Sequence, residues 1–103
     1  MKTFDLELRV KTFGSVITWE ILLEDVTNRS RRVLDWMQAD DYRYKKLPDY
    51  SILDDTLSVF AGCQGITGGT VICEVLINGE SQPQKLISKV EETEYAKVDY
   101  PIS

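Results

Sequence analysis

From Phe4 to Lys11 the side chains alternate without a slip. Phe4, Leu6, Leu8 and Val10 are apolar, and Asp5, Glu7, Arg9 and Lys11 are charged. Successive side chains of a pleated strand point to opposite faces, so a period of two buries one face and leaves the other wet. The pattern recurs down the chain. Ile17, Trp19, Ile21 and Leu23 share one face of a second segment, 16–24. Leu57 and Val59 oppose Phe60 in 56–61. In 70–78, Val71, Cys73, Val75 and Ile77 share a face while Ile72 and Leu76 load the other, which predicts a central strand. Ala96, Val98 and Tyr100 alternate with Lys97 and Asp99 before Pro101.

The intervening residues carry turn chemistry. Phe13-Gly14-Ser15 predicts a hairpin between the first two strands, and Thr27-Asn28-Arg29-Ser30 a turn. The glycines at 62, 65, 68 and 69 predict a flexible loop that exposes Cys63. Asn78-Gly79 predicts a type I′ hairpin, since both residues tolerate positive φ. Pro83 cannot donate to a ladder, so the first part of the return strand, 80–90, belongs on an edge. Residues 31–37 fit a short helical turn nearly as well as a strand, and the alternation predicts the strand, with Leu34 and Trp36 inward. Over 39–55 the alternation fails. This stretch reads as a long irregular loop, with Pro48 disfavouring helix at Leu47 and a short strand near 50–53.

Short strands, turn signals about every ten residues and no convincing helix describe an all-β antiparallel sandwich of about seven strands, with a small barrel as the alternative. The likeness to immunoglobulin-like sandwiches is architectural, because the Cys…Trp…Cys spacing of true immunoglobulin domains is missing. A chain of 103 residues makes one domain, 1–103.

Charge and composition narrow the function. Twelve basic against 17 acidic side chains leave a net charge of −5, which opposes binding to nucleic acid or to an anionic membrane. No apolar run approaches the roughly 20 residues that span a bilayer. With no histidine, the commonest general base and most zinc or copper sites are gone. Cys63 and Cys73 lack zinc-ligand spacing and, being only two, suggest a reduced protein. A start without an apolar signal core points to the cytoplasm; removal of a leader would make it secreted and admit a Cys63–Cys73 disulfide. The 62–69 glycines lack the lysine and following helix of a phosphate loop.

The candidate site is the aromatic and basic cluster Trp36, Tyr42, Arg43, Tyr44, Lys45 and Tyr50. Rings beside cations suit stacking on a partner's side chain or on a sugar. The competing reading has the rings folding back to plug the end of the sandwich. The Asp40-Asp41, Asp49 and Asp54-Asp55 carboxylates match no calcium-loop spacing, and Arg29, Arg31 and Arg32 fit a charged strand edge better than an anion site. The expectation is a non-catalytic module without cofactor or metal. It binds another protein, or a second copy of itself, through this loop and an open strand edge; carbohydrate or small-ligand binding is the alternative.

Overall fold

A computed structural model of the chain describes residues 1–102. Among them nine strands form two antiparallel sheets, and the protein is an open sandwich, not a closed barrel. The strands are β1 (Lys2–Phe13), β2 (Val16–Leu23), β3 (Met37–Gln38), β4 (Arg43–Ile52), β5 (Thr56–Gly65), β6 (Thr70–Ile77), β7 (Glu80–Ser81), β8 (Leu86–Lys89) and β9 (Ala96–Pro101). The larger sheet runs β3-β4-β1-β6, with β7 and β8 both on the far edge of β6. The smaller runs β2-β5-β9. No helix is long and apolar enough to cross a membrane.

Most of the alternating residues build the core as the sequence predicts; Ile17, at a register shift in β2, is instead 75% exposed. Phe4, Leu6, Leu8 and Val10 of β1 meet Val71, Cys73 and Val75 of β6 on one inner face, and Ile21, Leu23, Leu57, Val59 and Ala61 supply the other. β6 is indeed central, between β1 and the β7–β8 edge. Asn78 and Gly79 join β6 to β7 with φ of 51° and 82°, the left-handed pair that a type I′ turn requires.

Several local expectations are corrected. β1 and β2 do not form a hairpin: β1 pairs with β4 and β6, β2 with β5, so the Gly14-Ser15 link crosses between layers. Both edges of β1 are taken by β4 and β6, which leaves β2 to pair with β5 in the other layer. The 62–69 loop shrinks because β5 continues to Gly65, and Cys63 is half-buried against Ser88 instead of exposed. Residues 31–36 are not a strand, and only Met37 of the predicted segment joins one, at the start of β3. A 3-10 turn over Arg29–Arg31 leads to one bridge, Leu22 to Arg32, and Asp35, at φ 59°, breaks the extension. Trp36 turns inward but Leu34 is 54% exposed.

The largest correction is 39–55, which contains a ten-residue strand, β4. Its pattern is hidden by a bulge: Phe4 faces Tyr50 and Leu6 faces Leu47, leaving Pro48 and Asp49 together opposite Asp5. Leu47 and Tyr50 are both inward yet three residues apart, a spacing no uniform strand has. Pro48 fits because β3 pairs only with Arg43 and Tyr44, so the missing N–H lies on an unpaired edge. Asp5 fixes the bulge. Its carboxylate accepts from the Asp49 N–H (3.1 Å), while its backbone exchanges bonds with Asn78 (3.0 and 2.8 Å).

The crossing link after β1 packs on the β5–β6 link without room for side chains. Ser15 O accepts from the Ile66 N–H at 3.0 Å, and a Cβ on Gly65 would stand 2.2 Å from that same oxygen. Gly65→Ala is therefore expected to destabilise the fold by about 1–3 kcal/mol, the usual range for overpacking, measured by urea unfolding.

Candidate functional site

Residues 42–45 lie on or beside β4, and a strand sends neighbours to opposite faces. The structure therefore divides the predicted cluster. Tyr42 and Tyr44 stand on the outer face of the larger sheet, their rings 6.1 Å apart and tilted by 52°. Arg43 and Lys45 point to the other side, opposite Val10 and Leu8. Lys45 reaches the Asp35 carbonyl at 3.5 Å.

Trp36 and Tyr50 are plugs. Trp36 meets Trp19 edge to face at 5.0 Å and 72°, and its indole N–H donates to Val33 O at 3.1 Å. The pair floors a trough of about 710 Å³ between β2 and the β3–β4 side of the larger sheet. Tyr50 packs edge to face on Phe4 at 5.9 Å, and its hydroxyl donates to the Glu24 carboxylate, which Arg31 also meets at 3.1 Å. Burial, with Glu24 second, pushes the Tyr50 phenol well above its ordinary range, so it remains a neutral donor.

Around Tyr42 and Tyr44 the register assembles residues that the sequence reading did not group. Tyr44 faces Arg9, which faces Glu74, and Met37 flanks Tyr44 from β3. One row further, Lys11 faces Ile72, which faces Ile87. In the last row Phe13 faces Thr70, which faces Lys89. Phe13 and Ile87 are each 50% exposed and Met37 55%. The Arg9 guanidinium lies 5.5 Å over the Tyr42 ring and pairs with Glu7 at 2.6 Å. That hydrogen bond holds its pKa above the ordinary value. Lys11 meets Asp41 at 3.3 Å. Phe13, Tyr42 and Ile72 wall a hollow of about 450 Å³, with Arg9, Lys11 and Lys85 beside Glu74 and Asp41 at its rim. The signal in the sequence was parity: Phe13 continues the outward series of Arg9 and Lys11, and Ile72 sits on the second face of β6.

The other clusters do not make sites. Arg29 grips Glu20 at 2.5 and 3.2 Å, and the Tyr95 hydroxyl donates to the same carboxylate. The Tyr95 ring covers Gly62, where a Cβ would stand 2.6 Å from it. Both cysteines are free thiols. Burial pushes the Cys73 thiol up to about 12, so it stays protonated. Among the described residues, no three His, Cys, Asp or Glu side chains gather as metal ligands would.

No protein-family model matches the chain, and no curated protein or solved structure matches it. Any functional reading therefore stands on the geometry above.

The Glu20 cluster predicts a pH dependence. The Arg29 hydrogen bonds lower the Glu20 pKa below its ordinary 4.5, opposed by partial burial and reinforced by Tyr95. A depressed carboxylate stabilises the fold above its unfolded pKa, and that contribution is lost as pH falls through the folded value. Glu20→Gln should therefore flatten the loss of stability below pH 4.5, read as a smaller drop in Tm on acidification than the wild type shows.

Proposed function

We propose that this protein is a non-catalytic protein-interaction module whose docking surface is the outer face of the larger sheet. One observation carries the reading. A sheet face pointing to solvent is expected to be polar, yet here Met37, Tyr44, Tyr42, Ile72, Ile87 and Phe13 form one connected patch in register, interleaved with Arg9, Lys11 and Lys89. Aromatic and methionine side chains among arginine are the composition of interface cores. Most of this patch is already held in place by strand pairing, so binding costs little ordering of backbone.

The 52° tilt between Tyr42 and Tyr44 favours a protein partner over a sugar. Stacking on a flat pyranose needs exposed coplanar rings, while tilted rings with a guanidinium over one of them make pockets for individual side chains. The absence of histidine and the neutral, buried state of Cys73 support binding over catalysis.

The test is capture from the native host by the wild type, by Tyr42→Ala/Tyr44→Ala, and by Leu53→Ala, which changes an exposed residue far from the patch. The double variant is expected to lose the wild-type partner at least about tenfold while keeping its Tm, as removal of interface anchors does. Leu53→Ala is expected to retain it. Equal capture by all three overturns the proposal.

A further inference from the structure

We propose that β9 pairs antiparallel with β9 of a second copy of this chain, about a two-fold axis at Val98, joining two three-stranded sheets into one of six. The inference does not rest on the patch of the larger sheet, which lies in the other layer.

Hydrogen-bond parity decides what the β9 edge offers. The Ile102 N–H donates to Asp55 O at 2.7 Å, in the register that sets Tyr100 opposite Leu57 and Val98 opposite Val59. In an antiparallel pair the bonded positions alternate, so Ala96, Val98 and Tyr100 bond to β5 while Lys97 and Asp99 aim their N–H and C=O groups outward. Among the described residues no backbone group meets them. The other edges are interrupted or short: beyond β3 the free edge of β4 is broken by Pro48 and the bulge beside it, and β8 is four residues long. On β2, Ile17 bulges out of register and Arg32 and Val33 cover the far end. On the opposite sheet, β7 is two residues long and the chain between it and β8 contains Pro83. β9 pairs continuously with β5, without a register shift, until Pro101.

The side chains select the occupant. Lys97 and Asp99 both point to the outer face, and both are about half exposed, at 51%. Their mutual contact is loose, at 3.7 Å. Asp99 is steadied by the Ser58 hydroxyl at 2.6 Å, and Lys97 lies 5.7 Å over the Phe60 ring. With Val98 opposite the partner's Val98, Lys97 stands directly opposite the partner's Asp99, and symmetry repeats the pair. The outward backbone groups of the same residues then face each other and form four hydrogen bonds. A shift of the pairing by two residues in either direction puts Lys97 against the partner's Lys97 or Asp99 against the partner's Asp99, and like charges directly opposite are destabilising. The strand is thus self-complementary in one register. The flanking acids Glu91, Glu92 and Glu94 do not oppose it, because antiparallel pairing carries the two clusters to opposite ends.

The experiment is sedimentation of the full chain from about 10 μM to about 1 mM, a range that brackets weak dimers. The variants are Lys97→Asp and Asp99→Lys, alone and mixed. The wild type is expected to dimerise reversibly. Each variant alone sets like charges opposite each other at both positions and should associate at least about tenfold more weakly. An equimolar mixture of the two variants should dimerise again, because each chain then supplies the charge its partner lacks. The mixture also separates this proposal from loss of the intrachain pair, which mixing cannot restore. A wild type that stays monomeric throughout, variants that associate as the wild type does, or a mixture that stays monomeric would each overturn the proposal. Should a variant fail to fold, amide exchange on the wild type decides: the Lys97 and Asp99 N–H groups must gain protection as concentration rises.

Discussion

β1 is hydrogen-bonded along both edges, to β4 on one side and β6 on the other, and its alternation sets the register for the sheet around it. A slip by one residue would turn Phe4, Leu6, Leu8 and Val10 out to water and Asp5, Glu7, Arg9 and Lys11 into the core. At roughly 1.5–3 kcal/mol per large side chain the apolar loss alone is about 6–12 kcal/mol, comparable to the whole stability of a domain this size. The same register places Arg9, Lys11 and Phe13 beside Tyr44, Glu74, Ile72 and Thr70. The candidate surface is therefore the reverse side of the core, and neither can shift without the other.

The two layers are unequal, and the inequality shapes the rest of the surface. The larger sheet extends past the smaller one on the β3–β4 side, where no strand lies beside β2 to cover it. Trp19 and Trp36 fill that gap. At the other side β8 sits across from β5 and β9, and the Tyr100 hydroxyl donates to Gln84 O at 2.7 Å, tying the layers together. The trough side is closed by side chains and a short piece of chain, the β9 side by a strand facing a strand. Bulges and chain cover blunt an edge against further pairing. β2 has both and β9 has neither, so of the two edges of the smaller sheet β9 is the one left open.

The sandwich was legible because alternation is a local signal, and most strands here keep it for five residues or more. What stayed hidden was non-local. The Pro48–Asp49 bulge depends on the Asp5 carboxylate, more than forty residues earlier in the chain, and makes a genuine strand look irregular. Gly14-Ser15 is good hairpin chemistry, but whether two strands pair or face each other depends on the other strands competing for their edges. Of the candidate cluster, the sequence shows the aromatics but not which of them share a face. Read as a loop, 39–55 makes Tyr42, Tyr44, Arg43, Lys45, Trp36 and Tyr50 look like one group, whereas only Tyr42 and Tyr44 stand together on the outer face. Once 43–52 is a strand, parity alone separates them, and Arg9, Lys11, Ile72 and Ile87 join from strands the composition of the segment says nothing about.

Net charge illustrates the same limit in electrostatics. A charge of −5 describes the protein from a distance, and it weakens long-range attraction to polyanions. At physiological ionic strength, however, charges are screened over about 8 Å, less than the width of three strands. The outer face of the larger sheet sets Arg9, Lys11, Lys85 and Lys89 against Glu7, Glu74 and Asp41, a nearly balanced surface. The acidic excess resides elsewhere, as in Glu91, Glu92 and Glu94. A balanced field around apolar rings places little electrostatic penalty on bringing a protein surface into contact, and the excess acids at a distance keep copies from collapsing onto one another indiscriminately. Association is then left to surfaces where short-range complementarity outweighs the general repulsion.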